Sequence, residues 1–113
     1  GCGGRGSGAL RDSLNAEESA VVWAMGDLFP DRLNGSVASL KKELPNRTQL
    51  DGRIYGGWNA YKAVIESGVD VVILATPPAF RPIHFAAAIE AGKHVFMEKP
   101  VAVDGPGIRM VME

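Results

Sequence analysis

The chain opens Gly1-Cys2-Gly3-Gly4-Arg5-Gly6, glycines spaced as in the G-x-G-x-x-G turn that brings backbone against a phosphate. In that pattern Gly1 permits the tight turn. Gly3 lets backbone approach a pyrophosphate, and Gly6 lets the following helix lie close to a strand. Gly4 and Arg5 belong to the same turn and are counted with the cofactor-binding group. The amides and partial positive charge of a helix N-terminus complement phosphate oxygens. A glycine-rich run also reads as a flexible end, so a second group matters. Asp27 stands twenty-one residues beyond Gly6, after the apolar run at 20–25. That is close to the interval of about 20 residues at which a carboxylate accepts the adenosine ribose hydroxyls. A carboxylate there repels a 2′-phosphate, so NAD is the expected cofactor, while Arg32 nearby leaves NADP open. Asp27 also suits a cap for the helix that begins near Pro30, and the two roles are compatible.

Two further clusters follow strands. Thr76-Pro77-Pro78 closes the apolar stretch 71–75, and Glu98-Lys99-Pro100 closes 94–97. In an open parallel sheet the carboxyl ends of the strands are where ligands bind. Two prolines stiffen a loop that can lie against a cofactor, although the same residues make a plain rigid turn. A lysine near a cationic nicotinamide has reason for a lowered pKa and a part in proton transfer. It reads equally as a solvated charge before a turn. His84 and His94 have no partners at metal-ligand spacing and read as structural or surface histidines; no metal site is expected. Trp23, Trp58, Tyr55 and Tyr61 are expected in or beside the core. Cys2 fills a free position of the turn, with no catalytic role expected.

The elements that must position these groups alternate. A helix enters through the glycines and runs from 3 to about 16. Residues 20–25 form a strand covered on both faces, stopped by Gly26-Asp27. Pro30 opens a helix whose Leu33, Val37, Leu40 and Leu44 recur at helical spacing until Pro45. Residues 53–55 form a short strand, 58–67 a helix closed by Gly68, and 71–75 the clearest strand. Residues 82–91 form an alanine-rich helix closed by Gly92, and 94–97 a strand. Asp104 caps a last helix with Pro106 early in it. Strands alternating with helices predict an α/β fold, a doubly wound parallel sheet with right-handed crossovers. No strand precedes Gly1, so residues 1–113 read as one nucleotide-binding domain incomplete at both ends. In the strand order 3-2-1-4-5-6 the missing first strand is central. Its loss leaves 20–25 and 71–75 without the partner they share.

Composition is ordinary for a globular chain: 113 residues, 46% hydrophobic, 22% charged, formal net charge −1. That balance gives no electrostatic reason for nucleic acid or an anionic membrane. No apolar run reaches the length of a membrane span. A single cysteine excludes an internal disulfide and a cysteine-cluster zinc site.

Together the glycine turn, Gly26-Asp27, Tyr61-Lys62, Thr76-Pro77-Pro78, Ala91-Gly92-Lys93-His94-Val95 and Glu98-Lys99-Pro100 strongly resemble the N-terminal Rossmann domain of the Gfo/Idh/MocA oxidoreductases. The likeness covers nearly the whole chain and is most specific from Thr76 to Pro100. It implies NAD or NADP at the glycine turn and oxidation or reduction of a carbinol on a sugar, cyclitol or similar polyol. It makes Lys99 the catalytic lysine, in contact with nicotinamide ribose and substrate. It places Thr76, Pro77 and Glu98 beside the cofactor. It also implies a substrate domain, carrying a catalytic histidine, that this sequence does not contain. The expected partners are a small polyol or sugar and further copies of the intact protein, with no nucleic acid and no membrane. The expected location is cytoplasmic, with an export signal ahead of Gly1 left open. Two rivals remain at this stage: an S-adenosylmethionine-dependent methyltransferase and a non-catalytic nucleotide-sensing protein.

Overall fold

The computed structural model describes residues 1–97, 102 and 105–112. Helix α1 (Gly4–Ala16) leads to strand β1 (Met25–Asp27), helix α2 (Pro30–Glu43) and strand β2 (Ile54–Gly56). Helix α3 (Ala60–Glu66), strand β3 (Val71–Leu74), helix α4 (Arg81–Glu90), strand β4 (His94–Met97) and helix α5 (Gly105–Met112) complete the order. The chain is thus α/β with parallel strands, as the alternation predicts.

The sheet comes in two halves. β1 pairs with β2, Gly26 opposite Tyr55, and β3 pairs with β4, Ile73 opposite Phe96; both pairs are parallel. Among the described residues β1 and β3 are not joined to each other. At the glycine turn, Gly1 lies between them. Its nitrogen donates to the Gly26 carbonyl at 3.0 Å. A Cβ on Gly1 would fall 2.9 Å from the Ala75 carbonyl oxygen. Each half has its own core. Leu14 of α1 and Leu33, Val37 and Leu40 of α2 close over Val22, Met25 and Leu50. Ile65 of α3 and Ala88 of α4 close over Val69, Val72 and Leu74.

Three local expectations need correction. Residues 20–25 do not make a continuous strand: they pair at one bridge, Val22 with Thr48, and again only from Met25. The interruption coincides with an excursion of the partner segment, which turns through Asp51 and Gly52 at positive φ (46° and 81°) between Thr48 and Ile54. The Arg53 guanidinium lies 3.6 Å over the Trp23 ring and donates from Nε to the Trp23 carbonyl at 2.8 Å. Second, Gly26 is not a stop but the middle of β1. A Cβ there would meet Val64 Cγ2 at 2.9 Å and Ala60 Cβ at 3.3 Å, so its bareness lets α3 pack on the strand. Third, coverage is incomplete. Val21 and Trp23 are exposed, Val71 is 57% exposed, and Trp58 is 69% exposed, its ring edge-on to Phe80 at 5.7 Å. The helix boundaries otherwise stand within two residues. Gly68 and Gly92 take positive φ (99° and 74°), as residues just past helix ends do.

Candidate cofactor site

The glycine turn is built as its spacing demands. Gly6 has no room for a side chain: a Cβ would fall 2.0 Å from the Gly1 carbonyl oxygen and 3.4 Å from Ala75 Cβ. Gly3, by contrast, faces open space, with only an Arg32 nitrogen at 3.9 Å, and Gly4 meets nothing within 4 Å. The turn is therefore tight toward the protein and open outward. Gly3 is the N-cap of α1, and no acidic residue stands in that helix's first turn. No carboxylate of the helix itself offsets the partial positive charge at this end.

Asp27 ends β1 next to this turn. One carboxylate oxygen accepts from the Cys2 amide at 2.6 Å, the other from the Phe29 amide at 2.9 Å. The second bond is an Asx turn that leads the chain into α2. The first fastens the glycine turn to the strand. Asp27 is buried with both bonds made. A carboxylate has about four acceptor positions, so these leave capacity for a further donor. The Cys2 thiol donates to the Gly26 carbonyl at 3.3 Å. Burial pushes its pKa up, so it stays a thiol. Ser7 Oγ donates to the Cys2 carbonyl at 3.1 Å and lies 3.1 Å from Ser36 Oγ, linking α1, the turn and α2. Arg32 lies over the Phe29 ring, 5.3 Å to the centroid, at the mouth of the turn.

An open slot separates the two halves of the sheet, between the unpaired edges of β1 and β3. It is bounded by the glycine turn, Asp27, residues 71–75 and the Thr76-Pro77 loop. That loop turns through Pro78–Phe80 into α4. Thr76 is tied to α4 twice. Its carbonyl accepts from Arg81 Nε at 2.7 Å, and its hydroxyl lies 3.2 Å from His84 Nδ1. The structure thus brings Gly1, Gly3, Gly4, Gly6, Asp27, Thr76 and Pro77 to the carboxyl end of β1 and β3, with Arg5 in the first turn of α1. Glu98, Lys99, Pro100 and Asp104 lie outside the described residues. His84, read from the sequence as a structural or surface histidine, is half-buried here and bonded to Thr76. Its available signal was its place at the start of the helix that follows the Thr-Pro-Pro loop. Among the described residues no group of three or more His, Cys, Asp or Glu side chains is placed to hold a metal ion. No described helix is long and apolar enough to cross a membrane.

A glycine turn closed inward and open outward at a helix N-terminus, with a strand-end carboxylate beside it, defines a dinucleotide-binding α/β domain. Residues 29–112 match the profile of the Gfo/Idh/MocA oxidoreductase family, NAD-binding Rossmann fold, and the chain belongs to that family. It is 29% identical over 116 residues to an inositol 2-dehydrogenase of Burkholderia cenocepacia (strain HI2424), an alignment using 100% of this chain and 31% of that protein. The chain thus spans about a third of the length of that relative. It is 26% identical to a structure of an NAD binding oxidoreductase from Klebsiella pneumoniae, with a TM-score of 0.70 over 99% of this chain and 29% of that one. The fold is also shared, at 23% identity and a TM-score of 0.74, with the WlbA dehydrogenase of Bordetella pertussis, solved in complex with NADH and UDP-GlcNAcA. That match covers 99% of this chain and 31% of the other. A methyltransferase finds no support in these relationships.

Proposed function

We propose that residues 1–113 form the nucleotide-binding unit of an NAD-dependent dehydrogenase that acts on a carbinol of a cyclitol, sugar or similar polyol. The observation that carries this reading is the Cys2–Asp27 hydrogen bond, which sets the open face of the glycine turn beside the strand-end carboxylate. The fit to a dinucleotide is made by the outward space at Gly3 and Gly4, where a Cβ would meet little or nothing. The amides at Gly3, Gly4 and Arg5 would hold the pyrophosphate, and Asp27 would accept from the adenosine ribose. Thr76 and Pro77 would border the cofactor from the other half of the sheet, with Glu98 beside it. Hydride acceptance is the chemistry that nicotinamide supplies when bound. The chain's own contributions are orientation, a dry floor of strand residues, and a base. Lys99 is that base: its Nζ takes the proton of the substrate hydroxyl. The kinship with inositol 2-dehydrogenase supports the polyol class. Assembly into homo-oligomers and a cytoplasmic location complete the proposal.

Calorimetry with NAD, NADP and S-adenosylmethionine tests the cofactor, and reduction of NAD with a polyol panel tests the reaction. NAD should bind best. Asp27→Ala should weaken NAD more than NADP; equal weakening of both would remove the ribose role. Lys99→Ala in the purified enzyme should lower kcat at least a hundredfold, about the contribution of general base catalysis. Full activity in that variant would refute its role.

A further inference from the structure

His84 occupies a built position beside the Thr76-Pro77 loop. Its ring stacks on Tyr61, with centroids 4.2 Å apart and planes 24° apart. Phe80 lies nearly parallel to it, 6.2 Å away at 16°. Nδ1 reaches the Thr76 hydroxyl at 3.2 Å. The Thr76 carbonyl is held by Arg81, so both oxygens of Thr76 end on the first turn of α4. The loop runs beside the glycine turn: a Cβ added at Gly1 would meet the Ala75 carbonyl oxygen at 2.9 Å and the Thr76 amide nitrogen at 3.0 Å. Thr76 is therefore the joint between the loop and the turn, and His84 fixes one side of it.

We propose that His84 is a positioning residue for the dinucleotide: it holds the Thr76 hydroxyl, and through it the Thr76-Pro77 loop, against the glycine turn. This rests on the NAD-binding reading above. Geometry favours positioning over proton transfer, since the ring is fixed by Tyr61, Phe80 and Thr76 together. Burial pushes its pKa down, so the imidazole is neutral near pH 7. A neutral ring exchanges one hydrogen bond with a hydroxyl in either tautomer.

The test is NAD affinity of the purified protein and three variants, measured by calorimetry, with Tm recorded for each. His84→Phe keeps the stacked ring and removes the hydrogen bond. Thr76→Val removes the hydroxyl and leaves the ring in place. His84→Asn offers an amide close to the Nδ1 position. His84→Phe and Thr76→Val should each weaken NAD about three- to tenfold, the range for one neutral hydrogen bond. The double variant should be no weaker than the worse single, because the two groups act through one bond. His84→Asn should restore binding to within about twofold of wild type, a rescue that a merely space-filling role would not produce. Additive losses, wild-type affinity in His84→Phe, or Asn no better than Phe would overturn the proposal while wild type still binds NAD. A wild type that binds no NAD would overturn the parent reading and this one with it. Thr76→Val decides the matter should His84→Phe fail to fold.

Discussion

The two halves of the sheet use the same strand–helix–strand logic and hold their functional groups by different means. The β1–β2 half has the larger aliphatic core, although Val21 and Trp23 stay exposed beside it. Leu33, Val37 and Leu40 form one face of α2, and Leu40 is wholly removed from water. The β3–β4 half is lighter. Ala88 takes the place of a large side chain, and Val71 and Phe96 remain exposed. Asp27 on the first half is placed by packing beneath it and by two backbone amides. Thr76 on the second is placed by a guanidinium and a stacked imidazole. Where burial is plentiful, the site residue is fixed from below; where it is scarce, polar and aromatic side chains fix it from the flank.

The largest effect should come at the seam. Gly6→Ala sets a Cβ 2.0 Å from the Gly1 carbonyl oxygen, so α1 must move away from both halves. A loss of about 4 kcal/mol or more in urea unfolding is expected, the range of severe single changes. A near-native midpoint would show that the seam is soft.

The contrast between the cores comes next. Leu40→Ala and Leu74→Ala delete the same atoms from the two halves. The first should cost about 4–5 kcal/mol, because Leu40 is fully enclosed. The second should cost about 2–3 kcal/mol, because Leu74 borders the open slot and its surroundings can relax. Equal losses would break the comparison.

The smallest effect is a dependence on pH. His84 has a folded pKa of about 4 against an ordinary 6.5. Between those values the unfolded chain binds more protons than the folded one, so stability falls as pH drops through that window and is level above it. His84→Asn should flatten this part of the Tm profile, and an unchanged slope would assign the acid sensitivity to other groups.

Much of this was legible in the sequence. Leu33, Val37 and Leu40 announced α2 by spacing, and 94–97 was read as the strand it is, since apolar stretches between turn residues leave few choices. The meeting of the glycine turn with Asp27 was legible because one helix and the strand after it set the interval of twenty-one residues between Gly6 and Asp27. What was not legible depended on the path of a partner segment or on packing at a distance. Nothing in the run 20–25 shows that its partner segment will turn away through Asp51 and Gly52. Gly26 resembled a stop because the approach of Ala60 and Val64 lies thirty-odd residues away in the chain. Trp58 read as core by type alone. His84 looked idle because its bond to Thr76 needs the loop to turn back on the helix.

The Cys2–Asp27 bond bears on how such a domain can change its preference between nucleotides. On the proposed reading the carboxylate that discriminates against a 2′-phosphate is also the clasp that holds the glycine turn to β1. Replacing it to admit the phosphate would leave the amides of Cys2 and Phe29 without their acceptor, at about 1–3 kcal/mol for each that stays dry. Selection for the alternative nucleotide therefore meets a fitness valley at Asp27 itself. The accessible route begins at the rim, with added positive charge near Arg32 and Phe29, and reaches the carboxylate only after another group has taken over the clasp.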